Sequence, residues 1–197
     1  MRRAPFHSWG LLAGRASARF FSLFLGAVLL WLQCARGQVV NESTAKIQFM
    51  HYVAQYAVWP KEVLSPADKQ FVLGVLGDNP FGDALENYFR GKFVKTRGFA
   101  IKFFKTVEEV KDCHMLFISS SEKAGFAQII NKLEDTSILT ISDSDGFLQK
   151  GGMIFMFITE KSEITGGLGW DINLPVLNRA RLQIDPFFIE KAKKPNR

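Results

Sequence analysis

The stretch "FVLGVLGDNPFG", Phe71 to Gly82, decides the fold class. Its first seven residues form a short, continuous apolar run, a pattern typical of a central strand that is covered on both faces. The turn that follows offers Asn79 as a helix cap and Pro80 at the first helical position, which predicts a helix running to about Phe89. A buried strand followed directly by a helix indicates an α/β protein.

The rest of the chain repeats this alternation of apolar runs and helical patterns. Apolar residues at helical spacing predict a first helix over residues 43–59, with Ser43 as its N-cap and Pro60 as its stop. Further strands are predicted at residues 99–104, 113–119, 137–142, 153–159 and near Trp170, and helical segments at 107–111, 123–134 and from Leu174 onward. We therefore predict a single α/β domain over residues 38–197, with a mostly parallel or mixed central sheet of five to six strands and helices on both faces.

The first 37 residues have the composition of a secretion signal. They contain five arginines and no acidic residue, and their apolar run over residues 20–32 is too short to span a bilayer. Ala35 and Gly37 supply the small residues that a signal peptidase requires before its cleavage point. We expect a signal peptide at residues 1–37 and a secreted mature chain that begins at Gln38.

Removal of this segment changes the net charge and the number of cysteines of the chain that remains. The formal net charge of +6 includes those five arginines, so the rest of the chain has 20 basic and 19 acidic side chains, and nucleic acid is not an expected partner. Cys34 falls within the signal, which leaves Cys113 as a lone thiol that cannot form an internal disulfide. Since Cys113 lies in the apolar stretch "CHMLFIS", we expect it to be buried.

The turn after the first strand resembles a phosphate-binding P-loop in its glycine spacing alone. In "GDNPFG", residues 77–82, the two glycines stand at the required interval. A P-loop continues with Lys and then Ser or Thr, whereas this chain has Asp83 and Ala84, and a carboxylate at that position repels phosphate. We expect no nucleotide cofactor.

The stretch "SDSDG", residues 142–146, resembles a calcium loop only through Asp143 and Asp145. A third ligand before the glycine is missing, and Gly152 stands where the bidentate Glu of an EF-hand belongs. We expect a capped helical turn over residues 145–149 and no metal ion.

No catalytic arrangement is evident, and we expect no catalytic residue. Cys113 and His114 are adjacent, and neighbouring residues of a strand point to opposite faces of the sheet. A hydrolase that uses Asp143 and Asp145 is an alternative from another class of protein. Four of the 19 phenylalanines precede residue 38, and not all of the others fit inside one core, which predicts a partly exposed aromatic patch of the kind found at protein interfaces.

Five blocks of the chain, in order, resemble the YfiR-like family of periplasmic proteins. The first helix ends in an aromatic-x-x-Trp-Pro signature formed by Tyr56, Trp59 and Pro60. The other four blocks are residues 75–82, 113–119, 138–156 and 172–184. Together with the first they span nearly the whole chain after residue 37.

The resemblance implies a regulator rather than an enzyme. YfiR-like proteins inhibit an inner-membrane diguanylate cyclase by binding its periplasmic sensor region, and an outer-membrane lipoprotein, YfiB, can sequester them, so the expected setting is cyclic di-GMP signalling and biofilm control. Trp59, Phe147 and Trp170 are the candidate partner contacts. Cys113 matches a cysteine that forms a disulfide in family members, but its partner is missing from this sequence.

Several alternatives stay open from the sequence. The membrane partner is a diguanylate cyclase or another sensor protein such as a histidine kinase, and the chain is a monomer or a homodimer. The glycine-rich segment 162–173 is longer than the family's hairpin, which leaves an altered partner contact near Trp170 open. A periplasmic small-ligand-binding protein is the second hypothesis, since the strand ends of a parallel sheet form crevices.

Overall fold

A computed structural model describes residues 41–64, 70–159 and 167–192. The predicted signal peptide lies outside the described residues, and so does part of the glycine-rich segment, residues 160–166. In the described ranges, helices α1 to α5 are Glu42–Tyr56, Ala84–Phe89, Phe126–Leu133, Leu174–Arg179 and Pro186–Glu190. Strands β1 to β9 are Ala57–Val58, Gln70–Leu76, Phe93–Val94, Arg97–Phe104, Met115–Ile118, Leu139–Ser142, Ile154–Ile158, Leu168–Ile172 and Gln183–Ile184.

Seven of the described strands form one mixed sheet in the order β3-β4-β2-β5-β6-β7-β8. The five strands from β4 to β7 in that order are parallel, and β3 and β8 pair antiparallel at the two edges. The predicted fold class is confirmed, with one more strand than expected. The extra strand, β3, has two residues, too few to give an apolar run in the sequence.

The side chains of the central strands alternate between two cores. Phe71, Leu73 and Val75 of β2 pack with residues of α1, α2, α4 and α5 on one face of the sheet. Val72 and Leu76 pack with α3 on the other face. The sheet is therefore covered on both faces, as its continuous apolar run predicts.

The predicted ends of the first helix are wrong at both termini. Its N-cap is Asn41, whose side chain accepts a hydrogen bond from the Ser43 N–H at 3.1 Å. The helix ends at Tyr56, before Pro60, because Ala57 and Val58 extend to pair with β9 as a separate two-stranded sheet. Neither strand of this pair has a sequence signal, since each is two residues long.

The predicted start of the second helix is also wrong. The Asn79 side chain accepts from the Phe81 N–H at 2.9 Å and donates to the Gly82 carbonyl at 3.1 Å, which closes a local turn. The turn delays α2 to Ala84, so Asn79 is a turn residue and not its N-cap. The helical pattern at 107–111 likewise forms only a short 3-10 turn, Val107–Glu109.

Candidate interaction surface

The carboxyl ends of the strands are closed by the protein's own loops. The chain leaves β2 for β4 on one side and returns to β5 on the other, so this edge is where an open α/β sheet commonly binds ligands. Here the Asp78 N–H donates to the Ser121 hydroxyl at 3.0 Å, and a Cβ on Gly77 would lie 2.4 Å from that oxygen. The space between the two strand ends is therefore occupied.

The stretch that resembles a calcium loop is a packed connection between β6 and β7. The Ser142 hydroxyl donates to the Ile118 carbonyl at 2.7 Å and accepts from the Ser144 N–H at 3.3 Å. A 3-10 turn, Leu148–Lys150, follows, and it lies slightly later than the predicted turn. In the described part of the chain, no group of three or more His, Cys, Asp or Glu residues is placed to hold a metal ion.

Asp143 of this connection forms a partly buried ion pair. Its carboxylate accepts from the Lys46 ammonium of α1 at 2.6 Å, and Glu42 contacts the same ammonium at 2.5 Å. Burial disfavours the charged form of Lys46, but the hydrogen bonds to the two carboxylates outweigh burial and raise the pKa of Lys46 above its ordinary value. Asp143 thus attaches α1 to the sheet and does not act in a pair with Asp145, which is exposed.

Cys113 and His114 belong to opposite cores, as their adjacency predicts. Cys113 is buried with a free thiol, and burial raises the pKa of that thiol to about 12. The His114 ring stacks on Phe71 at 5.1 Å, and its Nδ1 accepts from the Val72 N–H at 2.9 Å. The thiol and the imidazole therefore pack on opposite sides of the strand, and no hydrogen bond joins them within the described residues.

The three candidate partner contacts lie inside the molecule. Phe147 is fully buried against Phe126, with ring centroids 5.1 Å apart. The indole N–H of Trp59 donates to the His114 carbonyl at 3.0 Å, and that of Trp170 donates to the Phe188 carbonyl at 3.3 Å. Each side chain fills a core in this conformation, and the partner-contact role of the three residues stays a prediction.

A partly exposed aromatic surface runs along α1, where Tyr52 and Tyr56 are half-buried against the core. Tyr52 and Tyr56 lie one helical turn apart with ring centroids separated by 4.5 Å, and Phe187 of α5 lies 6.3 Å from Tyr56. Phe187 is 45% exposed. The hydrogen bond to Tyr56, together with burial, raises the pKa of Tyr52 to about 12, so the Tyr52 hydroxyl is neutral near neutral pH.

A shallow cleft of about 330 Å³ continues this surface toward α2. It is lined by Gln48, His51, Tyr52, Gln55 and Tyr88, together with Ala45 and Phe49. The Gln55 amide donates to the Phe93 carbonyl at 2.8 Å, and His51 lies 3.2 Å from both that carbonyl and the Tyr88 hydroxyl. These bonds hold the cleft open as one surface between α1, α2 and β3. We call the whole of it the α1 surface: Gln48, His51, Tyr52, Gln55, Tyr56, Tyr88, Phe93 and Phe187.

The α1 surface has an uncharged centre and charged ends. From residue 47 to residue 60 the chain contains no Lys, Arg, Asp or Glu. The ammonium groups of Lys92 and Lys191 lie 5.5 Å and 5.6 Å from the ring centroids of Tyr88 and Phe187 at the two ends. Aromatic side chains, few central charges and a polar rim are the features that distinguish protein interfaces from ordinary surface. The absence of charged residues from 47 to 60 is the sequence feature that could have indicated this surface.

Comparison with known protein families shows what this chain is similar to. The family described as YfiR/HmsC-like matches residues 43–193. The chain belongs to the YfiR/HmsC-like family. The resemblance predicted from the five sequence blocks is therefore confirmed. No curated protein matches the chain with significant similarity.

The part of the chain that matches the YfiR/HmsC-like family contains both cores of the sheet. It begins within the first turn of α1 and extends past α5, so the α1 surface lies inside the family domain. In the described ranges of this family member, no helix combines the length and the apolar character needed to cross a bilayer.

Proposed function

We propose that this chain is a periplasmic regulatory protein that binds the sensor region of an inner-membrane diguanylate cyclase and inhibits it. The observation that carries the proposal is membership of the YfiR/HmsC-like family over residues 43–193. The predicted signal peptide at residues 1–37 supplies the route to the periplasm. Such a protein regulates rather than catalyses: it biases the cyclase toward its inactive conformation by binding that conformation more tightly.

The α1 surface is the contact that we assign to this interaction. Its centre can bury aromatic rings without removing any ionised side chain from water, which makes desolvation inexpensive. Its two lysines suit carboxylates at the edges of the partner surface. The partner is thus expected to present apolar side chains flanked by acidic ones.

Expression of the full chain in cells that carry the cyclase tests the proposal. We expect wild-type protein to lower cellular cyclic di-GMP and to co-purify with a membrane protein after mild cross-linking. Gln48→Arg places a charge in the uncharged centre and should abolish both effects. Gln128→Arg makes the same change on an exposed position of α3, on the other face of the sheet, and should leave both effects intact.

Three outcomes would redirect or end the proposal. Capture of a histidine kinase or an outer-membrane lipoprotein in place of a cyclase would keep the regulatory role and change the partner. If light scattering shows that the wild-type protein is a dimer and the Gln48→Arg variant a monomer, the α1 surface is the interface of a homodimer. Unchanged cyclic di-GMP in the presence and absence of the protein would overturn the inhibitory function.

A further inference from the structure

A hairpin at one edge of the sheet differs in charge from the rest of the chain. From residue 87 to residue 107 the sequence contains six Lys or Arg residues and no Asp or Glu. Without these six, the 20 basic side chains that follow residue 37 fall to 14, against 19 acidic ones. The positive charge of the domain is therefore concentrated in one segment, which gives this segment a positive local potential.

The hairpin consists of β3, a two-residue turn and the start of β4. Val94 pairs with Arg97, so residues 95–96 form the turn between the two strands. Both turn residues are exposed, and so is the segment that leads from α2 into β3. We call residues 90–98 the basic hairpin; its four cations are Arg90, Lys92, Lys95 and Arg97.

The exposed cations of the basic hairpin are available to a partner. Arg90, Lys92 and Lys95 form no ion pair with any described residue. The Lys92 ammonium lies 5.5 Å from the centroid of the Tyr88 ring, at the boundary with the α1 surface. Arg90 and Lys95 are therefore the charges that a partner of the hairpin itself meets.

An exposed aromatic ring lies among these cations. Phe93 is 56% exposed, the highest value for a large hydrophobic side chain in the part of the chain that the structure describes. Its ring lies 3.9 Å from the position of a Cβ on Gly98, on the face of the sheet that carries α3. Lys102 follows on the same face of β4, because side chains alternate along a strand. An apolar ring surrounded by Lys and Arg is typical of segments that bind a membrane interface.

The sign of the charge favours a bilayer over a protein as the partner. Protein surfaces that recognise each other commonly match charges of both signs, which fixes their relative orientation. The basic hairpin has charges of one sign, and its exposed residues surround a turn and not a cleft. A bilayer with anionic phospholipid offers uniform negative charge and an apolar interior that one ring can reach.

We propose that the basic hairpin binds a bilayer surface that contains anionic phospholipid. Arg90 and Lys95 contact lipid phosphates, and Phe93 enters the interface between headgroups and acyl chains. The Phe93 carbonyl accepts a hydrogen bond from Gln55 of the α1 surface at 2.8 Å, so a chain bound in this way holds the α1 surface close to the membrane. The resulting rise in local concentration near a cyclase rests on the proposed function, whereas lipid binding itself does not.

Co-sedimentation with vesicles tests this proposal. The chain without residues 1–37 is used, so that the apolar run of the predicted signal peptide does not bind lipid itself. With vesicles of equal parts phosphatidylglycerol and phosphatidylcholine, half of the protein should be bound at about 1 mM lipid, the affinity expected from about four cations near the surface. Phosphatidylcholine alone should require at least about tenfold more lipid, and about 0.5 M salt should release the protein.

Paired charge variants locate the binding surface. Arg90→Gln combined with Lys95→Asn should weaken binding to the anionic vesicles roughly 25-fold, about fivefold for each charge. Asparagine is chosen at position 95 because it tolerates the left-handed φ of 53° there. The matched control is Lys123→Gln combined with Lys150→Gln, which removes the same charge from exposed positions near α3. The control should change binding by less than about twofold.

A ring variant tests the apolar part of the contact. Phe93→Ala should weaken binding to the anionic vesicles roughly fivefold, because the variant has no ring to bury in the interface. Ile158 of β7 is 54% exposed, so Ile158→Ala is the matched control and should leave binding unchanged. Circular dichroism confirms that each variant is folded.

Any of three results overturns this proposal. They are no sedimentation with anionic vesicles up to about 10 mM lipid, equal binding to anionic and neutral vesicles, or equal weakening by the hairpin pair and the control pair. Retention on immobilised poly-glutamate without vesicle binding would overturn it too, and would assign the hairpin to an acidic protein segment. No cyclase is present in these measurements, so their failure leaves the proposed function unaffected, and failure of the cyclase experiment leaves lipid binding standing.

Discussion

Gly152 has no space for a side chain beside Phe147. A Cβ at position 152 would lie 2.2 Å from the Phe147 ring, and this ring is fully buried against Phe126. The glycine therefore allows the connection between β6 and β7 to close over an aromatic anchor. Close packing of the ring against the backbone explains this part of the "SDSDGFLQKGG" stretch without a ligand.

Gly152→Ala should destabilise the protein. Overpacking of this kind costs about 1–3 kcal/mol of unfolding free energy, because the Phe147 ring must move within a filled core. Urea denaturation followed by circular dichroism measures the loss. Gly125→Ala is the matched control, since its Cβ would meet Ile129 at an ordinary 3.7 Å and its φ is −97°. Equal urea midpoints for the two variants would show that the connection between β6 and β7 can shift to accommodate the added Cβ.

The Cys113 thiol should make stability depend on pH in the alkaline range. Burial raises its pKa from 9.0 to about 12 in the folded protein, so between these values the folded chain keeps a proton that the unfolded chain has lost. Stability from this group is full below the unfolded pKa and declines as pH rises above it, by up to about 1.4 kcal/mol per pH unit.

Cys113→Ala isolates this contribution. The variant loses stability at all pH values because it leaves a cavity, but it lacks the thiol's alkaline decline. The difference in unfolding free energy between wild type and variant should narrow by about 1.4 kcal/mol from about pH 8 to pH 10. A constant difference over this range would place the thiol in contact with solvent.

At the level of elements, a partly buried ion pair attaches α1 to the connection between β6 and β7. Lys46 and Asp143 are separated by 97 residues in sequence, and their side chains are 14% and 17% exposed. Removing one partner leaves the other partly desolvated, so the pair matters more to stability than an exposed one does.

Asp143→Asn should lower the unfolding free energy by about 1 kcal/mol. The value is below that of a fully buried pair because Glu42 still contacts Lys46 at 2.5 Å. Asp145→Asn removes an exposed carboxylate two residues away and should change stability by less than about 0.5 kcal/mol. Thermal unfolding of both variants compares them directly. An equal effect of the two substitutions would mean that the pair contributes nothing.

The elements that the sequence predicts well are those whose burial is visible locally. The continuous apolar run of β2 reports two covered faces, and the six predicted strands are all present within a few residues of their expected limits. The ends of α1 and α2 were mispredicted because they depend on distant or competing partners: the strand pairing of Ala57 with Ile184, and the turn closed by Asn79. Local pattern does not encode such competition.

The same distinction between local pattern and long-range packing applies to the candidate interaction surface. An exposed aromatic patch could be predicted from phenylalanine content, but its members could not, because exposure of Phe187 and burial of Phe147 are decided by packing.

On the scale of the whole molecule, both cores are built on the same strands. The apolar side chains of β2 alternate between the two cores: Phe71, Leu73 and Val75 face one, and Val72 and Leu76 face the other. Loss of one core therefore exposes the strands that support the second, and the domain should unfold in a single cooperative transition.

Trp170 and Cys113 report on the two cores separately. Tryptophan fluorescence follows the core that contains α1 and α5, and alkylation of the thiol follows the core that contains α3. We expect both probes, measured across a urea titration, to give the same midpoint. Labelling of Cys113 at urea concentrations where fluorescence is still native would show that the α3 side opens alone.

The hydrogen bond from Trp59 to the His114 carbonyl joins the segment that follows α1 to the segment that enters β5. A change in the position of His114 therefore also shifts the support of α1, whose surface we propose as the partner contact. Thermodynamic linkage requires reciprocity: the factor by which such a change alters the affinity for a partner equals the factor by which partner binding alters the equilibrium of that change. One buried indole would thus couple the amino ends of the strands to the α1 surface.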